Sequence, residues 1–162
     1  MKRRNAFSIG LIVLLSTSLM SGCWNRPFIN SDTEGNKMSE ELLGYLENDD
    51  SEGIKSMLCD ITKSSPDTDE EIMAALEFFD GKVTSRDEEI TSSEESITKG
   101  EIEYLTIGLY IKNIETDRNR TYKVKFYAQL VNTNNPDKIG VSRILIIDEE
   151  GVECIIGEYL GR

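Results

Sequence analysis

The sequence contains no histidine, and its 162 residues include only three cysteines, three prolines and one tryptophan. Without histidine, Ser-His-Asp and Cys-His catalysis and His-ligated metal sites are excluded. Basic residues are also scarce, because 18 Lys and Arg stand against 30 Asp and Glu and leave a net charge of −12. Such a chain lacks the electrostatic footprint of a nucleic-acid-binding protein. We therefore expect no nucleic-acid partner, and the sequence offers no catalytic residue, metal or cofactor.

Residues 1–22 have the layout of an export signal. Three basic residues lie within the first four positions, and the apolar segment Ala6–Met20 is shorter than the roughly 20 residues of a comfortable membrane span. Ser21, Gly22 and Cys23 follow, and the whole arrangement resembles the lipobox of bacterial lipoproteins. The resemblance implies signal cleavage between Gly22 and Cys23 and a diacyl lipid on Cys23.

This signal sets the expected domain boundaries. Residues 1–22 are predicted to be the lipoprotein signal peptide, 23–36 a lipid-anchored flexible spacer, and 37–162 a single domain. We expect the protein at the cell membrane on the extracytoplasmic side, with the membrane as partner through Cys23. The alternatives are an uncleaved anchor helix, an ordinary secreted protein and twin-arginine export.

Apolar residues recur at three- to four-residue spacing in residues 37–81, which predicts three amphipathic helices. The first has its cap at Ser39, the second begins at Ser51, and the third is capped by Asp67 or Thr68.

The first 22 residues carry three basic residues and no acidic one, so a chain that begins at Cys23 has a net charge of −15.

Three runs rich in Ile, Val, Leu and Tyr predict a meander of antiparallel strands. They lie at Ile102–Ile111, Tyr122–Val131 and Ile139–Ile147. A weaker strand is expected at Lys82–Thr91 and a final one at Val152–Ile156. The polar residues Ser92–Lys99 predict a loop, and Gly108 indicates a bulge or bend.

Alternation along the first two long strands gives one apolar face and a second face with five candidate ligand or interface residues. They are Tyr104, Tyr110, Lys123, Lys125 and Tyr127. This basic and aromatic group suits an anionic or glycan ligand, and the alternative is a solvated face whose lysines discourage aggregation. The third long strand is apolar on both faces. We therefore expect a partner subunit, the spacer or a ligand to cover part of the second face.

Three short features carry a family resemblance: the lipobox Cys23, the segment Phe-Phe-Asp-Gly-Lys-Val at 78–83, and Asn-Pro-Asp-Lys-Ile-Gly-Val at 135–141. With them, the chain resembles a family of uncharacterised lipoproteins from low-GC Gram-positive bacteria that have a nuclear transport factor 2-like (cystatin-like) domain. The resemblance implies an α+β fold in which three N-terminal helices pack on a curved, cone-like antiparallel sheet of four to five strands. The family has no assigned activity, so it implies no catalytic residues.

Three functions remain open at this point. The favoured one is a non-enzymatic binding or interaction module that takes an unknown small ligand or protein partner outside the membrane. The second is a structural or assembly protein that dimerises through the second sheet face. The third is a small pocket enzyme that uses Asp80 with Tyr104 or Tyr122 and needs a buried carboxyl group with a raised pKa. Cys59 and Cys154 show no spacing signal, so they are expected to be buried thiols, with a disulfide as the alternative.

Overall fold

The structure is a computed structural model that describes residues 29–161. The described part of the chain contains four helices and one antiparallel sheet of six strands. The helices are α1 (Ser31–Glu47), α2 (Ser51–Met57), α3 (Asp60–Lys63) and α4 (Thr68–Phe78). The strands are β1 (Val83–Ser85), β2 (Ile90–Thr98), β3 (Glu101–Thr116), β4 (Thr121–Asn132), β5 (Gly140–Ile147) and β6 (Glu153–Gly157). A 3₁₀ turn, Pro136–Lys138, lies between β4 and β5.

The predicted fold is wrong. Residues 29–161 form four helices and six strands, where three helices on a cone-like sheet of four to five strands were expected. Most of the helices are short and precede the sheet, so the description α+β fits only loosely. The nuclear transport factor 2-like cone is therefore not the architecture of this chain.

The additional helix arises because the second predicted helix is broken after Met57. Leu58 has an extended backbone, with φ −69° and ψ 152°, and forms a parallel bridge with Val141. The N–H of Cys59 then donates to the carbonyl oxygen of Val141 at 2.8 Å. Pairing with β5 thus interrupts the helix, and the chain continues as the separate short helix α3.

The additional strand is β2, which covers the segment predicted as a loop. It pairs with β3 from Ile90 to Thr98, although most of its side chains are exposed. An edge strand needs no alternating apolar residues, because backbone hydrogen bonds hold it and both of its faces can meet water. Because the sequence of β2 is rich in Ser and Glu, it was predicted as a loop and not as a strand.

Helix α1 begins earlier than the predicted cap at Ser39. The Asn30 side chain accepts hydrogen bonds from the N–H groups of Asp32 and Thr33, each at 3.1 Å, which caps the helix before Ser31. Ser39 is instead buried within α1. The C-terminal part of the expected spacer is consequently helical, and residues 23–28 of that spacer lie outside the described residues.

The sheet has the order β1–β3–β4–β5–β6, and β2 also pairs with β3. All of these strand pairs are antiparallel. One face, the inner face, packs against the helices and forms the core. Its buried strand residues include Leu105, Ile107, Leu109 and Ile111 of β3 and Tyr122, Val124, Phe126 and Ala128 of β4, as the alternation predicted. The opposite side is called the outer face below.

Helix α4 is fastened to the sheet at both ends. The hydroxyl group of Tyr122 donates to the carbonyl oxygen of Phe78 at 3.0 Å, next to the C-terminal end of α4. The Glu71 carboxylate accepts the N–H of Gly157 at 2.8 Å and so joins the first turn of α4 to β6. These polar contacts, together with the buried apolar residues, hold the four described helices against the inner face and leave the outer face uncovered by them.

No helix among residues 29–161 is long and apolar enough to cross a membrane. The signal peptide, the cleavage site at Gly22 and the lipidation site at Cys23 lie outside the described residues and remain predictions.

Candidate functional site

The outer face carries the five predicted site residues, but it does not bring all of them together. Tyr110 of β3 is the cross-strand partner of Lys125, and Tyr127 is two residues further along β4. Lys123 lies two residues before Lys125 on the same face. Tyr104 is separated from Tyr110 by six residues of extended strand, about 20 Å, and pairs with Asn132 near the other end of the sheet. Tyr110, Lys123, Lys125 and Tyr127 therefore lie close together, and Tyr104 lies further along the sheet, where it lines a cavity together with Tyr127.

Two lysine side chains lie over the Tyr110 ring. The Nζ of Lys125 is 4.6 Å from the ring centroid, and the Nζ of Lys112 is 5.0 Å from it. The electron-rich face of an aromatic ring attracts cations at such distances, by about 0.5–1 kcal/mol at exposed sites. The ring thus orders two like charges on neighbouring strands with their ammonium groups at the surface.

Arg143 of β5 extends this group, because it is the cross-strand partner of Tyr127. We call Lys112, Lys123, Lys125 and Arg143 the basic cluster. No Asp or Glu among residues 29–161 forms an ion pair with any member of the cluster. Five other basic residues do form ion pairs: Lys37, Lys55, Lys63, Arg86 and Arg120. Within the described part of this acidic chain, four cations without carboxylate partners thus lie on one face.

Apolar side chains flank the basic cluster on the same face. A row of consecutive cross-strand partners runs through Ile90, Tyr110, Lys125, Leu145 and Ile155. Ile90 is 55% exposed, and Leu145 and Ile155 are partly buried. The outer side of β5 is therefore not covered by a second protein layer within residues 29–161, and its apolar residues are only partly shielded.

The C-terminal segment Glu158–Gly161, called the tail, covers one end of the outer face. The Nε2 of Gln129 donates to the carbonyl oxygen of Gly161 at 2.7 Å, and the Nζ of Lys138 donates to that of Leu160 at 3.0 Å. The Tyr159 ring meets the Tyr127 ring edge to face at 5.2 Å. The tail thus covers part of the second face, and the sequence did not indicate this segment as a cover.

A cavity of about 180 Å³ opens between the tail and the sheet. Its lining is rich in hydroxyl and phenol groups and includes one amide side chain. The polar lining residues are Ser92, Ser93, Glu94, Tyr104, Thr106, Tyr127, Gln129, Ser142 and Tyr159. We call this space the tail cavity.

Gly108 forms part of the cavity wall and is not a bulge. It pairs in register with Tyr127, whereas the irregular positions of β3 lie elsewhere along the strand. A Cβ atom at Gly108 would lie 3.0 Å from the Ser92 Oγ and 3.3 Å from the Tyr127 Cε1. The missing side chain therefore leaves room for the Tyr127 ring and for the cavity beside it.

Sequence reasoning missed Lys112, Arg143 and Tyr159. Lys112 has the same strand parity as Tyr110, but the predicted strand ended one residue before it. Arg143 lies between apolar neighbours in a strand whose alternation is broken, so its face could not be read. Nothing in the sequence indicates that Tyr159 returns to Tyr127, because that contact depends on the path of the tail.

The residues of the enzyme hypothesis do not form an acid–tyrosine pair. Asp80 is exposed, and its backbone N–H, not its carboxylate, is bonded to the Tyr122 hydroxyl group at 3.0 Å. Tyr104 lies on the outer face, whereas Tyr122 is buried on the inner face. The buried carboxyl group that this hypothesis requires is therefore not provided by Asp80.

Both described cysteines are free thiols. Cys59 is buried, with its Sγ 3.3 Å from the Thr62 Oγ1. Cys154 lies on the inner side of β6, and burial raises the pKa of its thiol, with a smaller upward contribution from the Glu71 charge and a downward one from the backbone N–H of Ile155. Neither residue lines the tail cavity. Residues 29–161 also contain no group of three or more Cys, Asp or Glu placed to hold a metal ion.

The fold and surface together define a small antiparallel-sheet protein with helices on one face and a basic, aromatic surface on the other. The chain belongs to the family described as a domain of unknown function (DUF5104), whose model matches residues 41–149. The match includes the whole of β3 and β4 and all four residues of the basic cluster. No curated protein matches the chain.

Proposed function

We propose that this protein is a membrane-anchored, extracytoplasmic lipoprotein whose folded domain is a non-enzymatic binding module for an anionic ligand. The anchor rests on the export-signal layout that ends at Cys23. The binding role rests on one observation, the basic cluster around Tyr110. Its four cations have no carboxylate partner among residues 29–161, and the chain has a net charge of −12. They form a local surface of opposite sign to the rest of the protein.

Charge-assisted hydrogen bonds from Lys and Arg to carboxylate, phosphate or sulfate are stronger than neutral ones. Lys125 and Lys112 are held over Tyr110, so part of the entropy cost of ordering their side chains is already met before the ligand arrives. The acidic remainder of the protein repels anions from other surfaces. The outer face is therefore the surface on which binding of an anionic ligand is most favourable.

The direction of the tether supports the same assignment. Helix α1 packs on the inner face, since a Cβ atom at Gly35 would lie 3.3 Å from the core side chain of Leu109. The described chain therefore begins in the helix layer. In this proposal the membrane lies on that side, and the outer face is directed away from the bilayer and open to soluble ligands.

A homodimer formed through the outer face is the second candidate, and the partly buried Leu145, Ile147 and Ile155 favour it. A two-fold interface brings the same patch of each copy together. The basic cluster of one copy would then approach that of the other, and like charges oppose such a contact. This candidate predicts a molecular mass that rises with concentration, and anion binding that falls as the dimer forms.

The anchor is tested by intact mass and membrane fractionation of wild type and Cys23→Ala from the native host. The proposal predicts a wild-type chain that begins at Cys23, carries acyl mass and sediments with membranes. The variant is expected to leave the membrane or to stay unprocessed. A wild-type protein that keeps Met1 and carries no lipid would contradict the anchor.

The binding role is tested with tripolyphosphate as probe, measured by titration calorimetry of the full chain in detergent at low salt. Lys123→Glu/Lys125→Glu should weaken binding by at least about tenfold. The matched control is Lys37→Glu/Lys99→Glu, which changes the net charge equally but away from the outer face. The control should change affinity by less than about threefold, since its charges lie further from the bound anion and Coulomb energy falls with distance. Equal losses in both variants would show a general charge effect and contradict the site.

A further inference from the structure

We propose that the outer face binds an acidic saccharide, with one sugar ring in the tail cavity and an anionic group on the basic cluster. This inference rests on the proposed function, because it names the class of ligand that the basic cluster takes.

The lining of the tail cavity matches the chemistry of a sugar ring. Hydroxyl groups of a sugar both donate and accept hydrogen bonds, and so do the Ser, Thr and Tyr hydroxyl groups in the lining. A lining made chiefly of lysine and arginine would instead indicate a site for a bare inorganic anion.

Two aromatic rings stand at the cavity. Tyr127 and Tyr159 meet edge to face, with an interplanar angle of 75°. Aromatic rings offer flat apolar surface with a polar tip, which suits the C–H face of a sugar and its neighbouring hydroxyl groups. The cavity, of about 180 Å³, is partly open to solvent, so one sugar ring can enter it while the rest of a longer saccharide stays outside.

The cavity and the basic cluster are continuous through Tyr127. This residue lines the cavity, pairs across the sheet with Arg143, and lies two residues from Lys125 on the same face. Two residues of extended strand span about 7 Å. A carboxylate, sulfate or phosphate on the ring, or on the next unit of a chain, is therefore within reach of both cations while the ring occupies the cavity.

Other anionic partners match the surface less well. A bilayer of phosphatidylglycerol presents a flat charged surface, and its headgroups contain no ring to fill a cavity beneath the tail. An acidic peptide supplies carboxylates but no polyhydroxylated ring. The combination of a hydroxyl-lined cavity with adjacent cations is what favours a saccharide.

The test compares three probes by titration calorimetry of the full chain in detergent: trigalacturonic acid, which has rings and charge; maltotriose, which has rings without charge; and tripolyphosphate, which has charge without rings. Trigalacturonic acid should bind at least about tenfold more tightly than maltotriose. The Gly108→Val side chain should occupy part of the cavity. The affinity for trigalacturonic acid should then fall by at least about tenfold, while the affinity for tripolyphosphate changes by less than about twofold.

Ser92→Leu provides a second cavity-filling variant with little folding risk, because Ser92 is exposed on an edge strand. Thr98→Leu, exposed on the same strand and outside the cavity lining, is its matched control. Ser92→Leu should weaken trigalacturonic acid binding as Gly108→Val does, and Thr98→Leu should leave it unchanged. Thermal melting confirms that each variant is folded.

Several outcomes separate the two proposals. Equal binding of trigalacturonic acid by Ser92→Leu and Thr98→Leu overturns the saccharide inference, whereas tripolyphosphate binding that depends on Lys123 and Lys125 still supports the proposed function. Vesicles of phosphatidylglycerol or a polyglutamate peptide that bind through these lysines, while trigalacturonic acid does not, overturn the inference in the same way. If none of the probes binds, both proposals fail.

Discussion

The phenol oxygen of Tyr122 lies 3.0 Å from both the carbonyl oxygen of Phe78 and the backbone nitrogen of Asp80. One hydroxyl group thus donates to the end of α4 and accepts from the chain just beyond it. The Tyr122 ring also stacks on Phe79, with centroids 4.7 Å apart. This junction joins the helix layer to β4, the strand that carries Lys123 and Lys125 on its other side.

We predict that Tyr122→Phe lowers the free energy of unfolding by about 1–2 kcal/mol. The ring contacts remain, but two partly buried backbone groups lose their hydrogen-bond partner. Urea denaturation of the full chain measures the change. Tyr159→Phe is the matched control. Tyr159 is exposed, so removal of its hydroxyl group should lower the free energy of unfolding by less than about 0.5 kcal/mol. Equal effects of the two substitutions would show that the hydrogen bonds of the Tyr122 hydroxyl group do not stabilise the fold.

Gly157 is a second point where β6, β5 and α4 meet. Its φ is +69°, and a Cβ atom there would overlap the carbonyl oxygen of Ser142. Gly157→Ala should therefore cost about 2–4 kcal/mol, the sum of a left-handed backbone penalty and a steric clash.

Gly151→Ala isolates the backbone part of this cost. Gly151 has φ +84°, but nothing lies within 4 Å of the position that a Cβ atom would take there, so only about 1 kcal/mol is expected. Chemical denaturation of both variants gives the difference. If Gly157→Ala is no worse than Gly151→Ala, the close approach to Ser142 does not constrain the fold.

Cys154 provides a pH-dependent prediction. Burial raises the pKa of its thiol, so at any given pH it holds less reactive thiolate than an exposed cysteine. The midpoint of its pH–rate profile for alkylation by iodoacetamide should lie above about pH 8.5, the usual thiol pKa. Peptide mapping by mass spectrometry follows Cys154 separately from Cys59, which is buried and should react only on unfolding.

The same shift has a consequence for stability. The folded state favours the neutral thiol, so this contribution is complete below the unfolded pKa and is lost as pH rises through the higher folded pKa. A midpoint for Cys154 at or below about pH 8.5 would contradict the burial of its thiol.

The sequence predicted the long strands well because their inner residues must alternate. Ile107, Leu109 and Phe126 follow this rule and are buried. It failed where backbone bonds, not side chains, decide the structure. Strand β2 is held by its pairing with β3, and α3 is separated from α2 by the bridge between Leu58 and Val141. Neither feature has a hydrophobic period to detect.

The candidate site could also be predicted only in part from the sequence. Tyr110, Lys123, Lys125 and Tyr127 follow from strand parity and pairing of neighbours. The tail cavity depends on Tyr159 returning across the sheet, which is a long-range contact with no local signal. Tyr104 lies six residues from Tyr110 and shares the tail cavity with Tyr127, because parity fixes the face of a residue but not its position along the strand.

The most direct test of the central claim is a heteronuclear NMR titration of the isotope-labelled full chain with tripolyphosphate at low salt. We predict saturable shifts that concentrate at the backbone amides of Tyr110, Lys123, Lys125 and Arg143, with amides of α1 and α4 unchanged. Shifts that cluster on the helix layer, or that spread evenly over the surface without saturating, would contradict the assignment of the outer face as the binding surface.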